Sequence, residues 1–261
     1  MLKLEHIRKA FRSGRDIVLA LAGIDLALDR GDFITVIGSN GAGKTTLLNI
    51  IAGTVLPTVG RVIVKDRDVT TLPAYRRAQW IGRITQDPLA GTAPMMTIAE
   101  NLALASKRAH RSLRLAITRR TRREMVEQML SLGMDLEHRL DDPVSLLSGG
   151  ERQALTVTMA TLARPEIMLL DEHTAALDPA NATKVSLLTQ EFVERMGVTT
   201  IMVTHNMEHA LALGNRLLMM NKGEVVYDFS EEEKKSLRVI DLVDLFSKQH
   251  IVDDELLLET S

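Results

Sequence analysis

Gly38-Ser39-Asn40-Gly41-Ala42-Gly43-Lys44-Thr45 reads G-x-x-x-x-G-K-[ST] in full. In front of it stands a continuous apolar run, Phe33 to Ile37, of the kind buried on both faces of a parallel sheet. Behind it, Thr45 to Ala52 reads as a helix ending near Gly53. Strand, glycine-rich turn and helix in that order form a phosphate cradle. Glycines let the backbone curl so that successive N–H groups point at phosphate oxygens, and the helix adds its N-terminal dipole. Lys44 supplies a mobile positive charge for β- and γ-phosphates, and the Thr45 hydroxyl can ligate Mg²⁺. The segment implies a nucleoside triphosphate without saying which process uses it.

Upstream of the loop the pattern has period two. Leu2 and Leu4 alternate with Lys3 and Glu5, and Ile24, Leu26 and Leu28 alternate with Asp25, Ala27 and Asp29, as in half-buried antiparallel strands. Gly31-Asp32 is a turn. Lys3, Arg8, Lys9, Arg12 and Arg15 precede the short apolar stretch Ile17 to Ile24, faintly like a secretory leader. The stretch runs straight into Asp25, and cleavage there would remove strands the phosphate loop needs, so it reads as mature structure.

Downstream, Pro57 to Gly60 is a turn before the strand Val62 to Val64, which Asp66-Arg67-Asp68 ends. Thr97 to Leu147 turns largely helical, with Glu124, Met125, Val126, Met129 and Leu130 on one face and Gly133 at a C′ position. Residues 89–147 read as a helical insertion between strands. The α/β alternation then resumes: helix Gly150 to Leu162, buried strand Ile167 to Leu170, a helical stripe Val185, Leu188, Phe192 and Met196, and strand Thr199 to Val203. Asn221-Lys222-Gly223 between Leu217 to Met220 and Glu224 to Tyr227 is a hairpin signal. The tail from Ser230 is helical and charge-rich.

Two further segments carry chemistry. Ile167-Met168-Leu169-Leu170-Asp171-Glu172 is an apolar strand ending in two acids. Asp171 at the sheet edge can hold a Mg²⁺ shell, and Glu172 can polarise a water opposite an in-line leaving group. Leu147-Ser148-Gly149-Gly150-Glu151-Arg152-Gln153 opens a helix. It reads equally as a second anion-binding helix end and as a plain serine N-cap with an acid in the first turn.

Composition removes whole classes. The chain has 261 residues, 32 Lys+Arg against 34 Asp+Glu, a net charge of −2, 45% hydrophobic residues and no cysteine. Disulfide scaffolds, thiolate metal sites and thiol catalysis are excluded. Near-neutral charge argues against a protein that coats nucleic acid. One Trp, two Tyr and five Phe leave few platforms for stacking single strands. No apolar run is long enough to span a bilayer.

With Leu147 to Gln153 standing upstream of Asp171, the chain resembles the ATP-binding subunit of an ABC transporter over residues 1–247. The resemblance implies an α/β fold: a P-loop NTPase cassette with a RecA-like core, an N-terminal antiparallel β subdomain and a helical subdomain at 89–147, followed by an acidic tail at 248–261. It implies ATP and Mg²⁺ as ligands. Gly38, Ser39, Asn40, Gly41, Ala42, Gly43, Lys44, Thr45 and Thr46 would bind phosphates, and Phe11 would stack on adenine where tyrosine is usual; the aromatic face survives that change. Gln86 of Ile84-Thr85-Gln86-Asp87-Pro88 matches the glutamine loop that touches Mg²⁺ and the attacking water. Thr45, Gln86 and Asp171 would serve the metal, and Glu172, His205, Gln86 and Lys44 the reaction. Ser148, Gly149 and Gly150 would close over the ATP of an opposing copy, with Asp178 of Ala176-Leu177-Asp178 at the same interface. Asp66 stands where the family has glycine, a change that aspartate tolerates in a left-handed turn. His173 stands where proline is commonest and reads as a loop substitution.

Ala78 to Pro88, Met96 to Leu102, Asp171 to Pro179, Glu232 to Lys235 and Asp241 to Phe246 are similar to ATPases of binding-protein-dependent importers. Their permeases are of the branched-chain amino-acid type, in systems assigned to tryptophan, tyrosine or similar solutes. The expected partners are separate membrane permease subunits, a solute-binding protein acting indirectly, and a second ATPase subunit, identical or paired, with ATP sandwiched between; nucleic acid is not expected. The expected location is cytoplasmic, on the inner face of the membrane. Lys107 to Arg123, with eight Lys/Arg and no acid, is either a solvated face or a surface toward anionic lipid. Rival readings are an exporter or lipoprotein-release ATPase, and a soluble ABC ATPase acting on ribosomes or DNA.

Overall fold

The structure is a computed structural model describing residues 1–14, 16–87, 89–106, 117–130, 133–162, 164–175 and 177–248. Two compact units divide the chain: residues 1–77, 169–171 and 197–261 form one, and 78–168 with 172–196 the other.

The first unit holds two sheets. β1 (Leu2–Ser13), β2 (Asp16–Leu28), β4 (Val59–Val64) and β5 (Arg67–Asp68) pair in the order β2-β1-β4-β5. Leu2 faces Leu28 and Val64, and Leu4 faces Leu26 and Val62, so the period-two leucines and valines share one buried face. Asp66-Arg67-Asp68 does more than end a strand. Lys65 and Asp66 take positive φ (51 and 60), the chain reverses, and Arg67 and Asp68 pair back on Val64 and Ile63. Asp66 is left-handed, as its place in a glycine position requires.

The second sheet of this unit runs β10-β9-β3-β8-β7. β3 (Phe33–Gly38), buried throughout, lies parallel to β8 (Thr199–Val203) and β9 (Arg216–Asn221). β10 (Glu224–Phe229) returns antiparallel on β9, and Lys222 and Gly223 both take positive φ, the two-residue turn that matches strand twist. β7 (Ile167–Asp171) ends in this unit. α1 (Lys44–Ala52) follows β3, and α2 (Ala74–Arg77) ends in a fully buried arginine. Arg77 donates to the carbonyls of Ile50 (2.6 Å), Ile51 (2.9 Å), Leu72 (2.9 Å) and Thr70 (2.8 Å), placing a cation at the negative end of α1. Burial pushes its guanidinium down to about 10, against the pull of Asp68.

The second unit begins with β6 (Ile81–Ile84), beside which β7 starts: Glu166 and Ile167 donate to the Trp80 carbonyl. Its core is Ile98, Leu102, Met129, Leu136, Val144 and Leu155 with their neighbours, assembled from α3 (Ile98–Ser106), α4 (Arg119–Leu130) and α5 (Gly149–Leu162). Among the described residues of 89–147, turns separate the helices. Gly133 (φ 59) and left-handed Asp135 (φ 54) lead into turns, and Pro143 precedes only a 3-10 turn, Val144–Leu146. α6 (Pro179–Met196) buries Val185, Ser186, Thr189 and Val193, whereas Leu188, Phe192 and Met196 are only half-buried. Leu188 and Phe192 of the apolar stripe nonetheless pack against this core, while Val185 is fully buried. Of the basic stretch, residues 107–116 lie outside the described residues, as does the tail from 249.

Candidate nucleotide site

In the first unit, β3 delivers the phosphate loop and α1 carries it away. Gly43 caps α1 with φ 100, and a Cβ there would stand 2.5 Å from the Ala20 carbonyl oxygen, so only glycine fits. No side chain caps this helix end and no acid lies in its first turn. The Lys44 ammonium, buried, donates to the carbonyls of Gly38 (2.5 Å) and Ser39 (3.0 Å), inside the curl that Gly41 (φ 79) and Gly43 permit. Support comes from a distant hairpin: the Gly223 N–H donates to Ala42 O (3.0 Å), and its carbonyl accepts from Ala22 N–H (2.9 Å). The sequence marks Gly223 only as a turn, and its role beneath the loop was not legible there.

Asp171, buried at the end of β7, lies with Oδ1 3.4 Å from the Thr45 hydroxyl. One carboxylate and one hydroxyl are hard oxygen donors of the type Mg²⁺ takes together with substrate phosphates, and such a site needs no cluster of acids. The residues present fit that ion. His205 leaves β8, whose Val203 pairs with Val36 of β3, so the histidine follows a strand adjacent to the one bearing the loop. Thr204 N–H donates to Val36 O (3.1 Å), and Asn206 caps α7 (Met207–Ala212) by accepting from His209 N–H at 2.8 Å, which fixes the chain on both sides of His205. Phe11 on β1 is 39% exposed, with the Lys9 ammonium 4.9 Å from its ring centre. An exposed aromatic face on a paired strand is suited to stacking.

In the second unit, α5 opens with a reciprocal cap. Ser148 N–H donates to Glu151 Oε2 (2.7 Å), and Glu151 N–H donates to Ser148 Oγ (3.3 Å). Arg139 bridges Glu151 (2.8 Å) and Asp142 (2.8 Å). Burial raises the Glu151 carboxyl, but the Ser148 bonds and Arg139 together hold it below the usual glutamate range. A Cβ on Gly150 would meet Asn181 at 2.9 Å, and Asn181 donates to both carboxylate oxygens of Asp178 (3.1 Å from N–H, 2.7 Å from Nδ2). The serine-glycine segment and Asp178 thus meet through Asn181, a residue that sequence reasoning missed; the Asp-Pro-x-Asn start of α6 was its only signal. Those bonds hold the Asp178 carboxyl low. Gln86 is exposed on the loop after β6, and Glu172 takes a left-handed φ of 45. His173 is more than a loop substitution: it is buried, with Nε2 3.3 Å from Thr189 Oγ1.

Comparison with known proteins bears on both units. The family model described as ABC transporter matches residues 21–175. The tyrosine transport ATP-binding protein of Clostridioides difficile (strain R20291) is 41% identical over 249 residues, covering 94% of this chain and 98% of that one. A bicarbonate transport ATP-binding protein of Synechococcus elongatus is 36% identical over 221 residues, 84% of this chain but 32% of its own length. Among solved structures, a dimeric ATP-binding cassette in a post-hydrolysis state with ADP and Pi superposes with a TM-score of 0.77 at 28% identity, over 88% of this chain and 99% of that one. The cassette fold read from the phosphate loop and Leu147 to Gln153 is the fold found. The chain belongs to the ABC transporter family, as an ATP-binding, ATP-hydrolysing subunit.

Proposed function

We propose that this subunit powers import of an amino acid, with tyrosine, tryptophan or a similar solute as cargo. The observation that carries the reading is end-to-end similarity, 94% and 98% of the two chains, to an ATPase named for tyrosine transport. Among the described residues no helix is long and apolar enough to cross a membrane. The proposed permease is a separate polypeptide, with a solute-binding protein upstream and the ATPase at the inner membrane face. Residues 1–247 act as one cassette, with 89–147 as its helical part.

In the proposed cycle, Phe11 stacks on adenine and Gly38 to Thr46 surround the phosphates. Lys44 turns from the Gly38 and Ser39 carbonyls to the β- and γ-phosphates. Thr45, Gln86 and Asp171 would hold Mg²⁺, which would neutralise phosphate charge when bound. A second cassette presents Ser148, Gly149 and Gly150 to the γ-phosphate, and Asp178 lines the same seam. Glu172 takes a proton from the attacking water while the water oxygen bonds the γ-phosphorus. The bond from that phosphorus to the bridging oxygen breaks, leaving ADP and phosphate. His205 steadies the transferring group. Loss of the γ-phosphate contact releases the second cassette.

The test is reconstitution of the ATPase with the membrane protein that co-purifies with it. Tyrosine or tryptophan, delivered with the binding protein, should stimulate hydrolysis. Stimulation by a lipid or lipoprotein substrate without a binding protein would establish the exporter reading instead, and activity dependent on ribosomes or DNA would overturn both.

A further inference from the structure

Glu172 takes a left-handed backbone, φ 45, which is strained for an L-residue and persists only where its surroundings hold it. Ala175 N–H closes a turn onto the Glu172 carbonyl at 3.0 Å. The next residue is anchored more deeply. His173 is 3% exposed, and its Nε2 lies 3.3 Å from Thr189 Oγ1. Thr189 has one hydroxyl proton and donates it to the Val185 carbonyl at 2.8 Å, within α6. Towards the imidazole Thr189 is therefore an acceptor, and Nε2 of His173 carries the hydrogen. The ring is thus held by a directed bond to an 18-residue helix whose start is capped by Asp178 and whose inner side buries Val185, Thr189 and Val193.

We propose that His173 is a positioning residue for the general base: its buried bond to Thr189 holds the chain so that Glu172 keeps the left-handed backbone that aims its carboxylate. The proposal rests on the reading of Glu172 as that base. His173 touches no reacting atom; it acts through the residue beside it.

The experiment measures kcat and KM for ATP, and ATP binding, in the full transporter complex. Thr189→Val removes the acceptor at nearly constant volume, and Thr189→Ser keeps it. Thr189→Val should lower kcat about ten- to a hundredfold, the scale of a small misplacement of a reacting group, with KM and ATP affinity within about twofold of wild type. Thr189→Ser should restore turnover. In a Glu172→Gln background, Thr189→Val should lower the residual rate no further, because the base it positions is gone. Unchanged kcat in Thr189→Val, a raised KM at normal kcat, or a further loss on top of Glu172→Gln would each overturn the positioning role. Wild-type turnover in Glu172→Gln alone would instead overturn the base assignment. If Thr189→Val loses ATP binding altogether, His173→Leu, which removes the N–H donor, and His173→Gln, which retains one, take the places of Thr189→Val and Thr189→Ser: kcat should fall in the first and be kept in the second, and an unchanged kcat in His173→Leu would overturn the positioning role.

Discussion

The N-termini of α1 and α5 are both glycine-rich; the sequence marks the first as an anion-binding helix end and leaves the second open between that and a plain serine N-cap. They are built in opposite ways. At α1 the cap is Gly43, no side chain caps the helix, and the first turn has no acid. At α5 the first turn is satisfied by its own Ser148 and Glu151, with Arg139 holding the acid. The first end keeps its dipole and its lysine for a ligand. The second is closed within the single chain: Ser148 Oγ accepts from the Glu151 N–H, and the hydroxyl proton stays available to an incoming anion.

This contrast can be broken at several points. The opposite end of α1 offers the largest effect: Arg77→Met leaves four carbonyls without their cation and should destabilise the first unit by about 4 kcal/mol. Denaturant unfolding would measure it, and a loss below 1 kcal/mol would show that the arginine is dispensable. Next, Lys44→Ala should weaken ATP binding by about a hundredfold, since charge-assisted bonds to phosphate are lost. Calorimetric titration with ATP reads this directly; wild-type affinity would mean that the α1 end is not the phosphate site. Ser148→Ala should cost only about 1 kcal/mol of stability, the value of one cap. ATP affinity of the isolated subunit should not move, while hydrolysis in the assembled transporter falls. A loss of affinity in the isolated subunit would erase the distinction between the two ends. The smallest effect concerns pH. Glu151 has its folded pKa depressed, so its contribution is present above about pH 4.3, the ordinary glutamate value, and is lost as pH falls through the folded value. The stability gap between wild type and Glu151→Gln should therefore narrow on acidification, as melting temperatures across that range would show; a gap that widens would contradict the cap.

The two ends also differ in how much of them could be read in advance. Gly43 and Lys44 were legible because a left-handed cap and a helix-borne cation are local properties of adjacent residues. Ser148 and Glu151 were legible as a cap by the same logic, three residues apart on one turn. Thr97 capping the start of α3, with Glu100 reaching back to the Thr97 N–H, obeys the same rule but enters the sequence reading only as part of a family likeness. Asn181 under Gly150, Gly223 under Ala42 and Arg77 behind Ile50 were not legible, because each joins segments that only folding brings together. The apolar stripe of α6 was legible in part: Leu188 and Phe192 pack against the core of the second unit, but the deeper burial of Ser186 and Thr189 depends on what the folded chain sets beside them.

By itself the sequence determined what is periodic or contiguous. That covers the alternating strands of the first sheet, the buried β3, the phosphate loop, the acid-ended β7 and the Asn221-Lys222-Gly223 turn, since each is dictated by backbone geometry within a few residues. Tertiary structure alone decided that Arg67 and Asp68 form a strand and that Thr45 stands 3.4 Å from Asp171. It alone decided that His173 is buried on Thr189 rather than exposed in a loop. Those outcomes depend on which distant surfaces exclude water from one another and on which buried polar atoms must then find partners, and no local pattern encodes either.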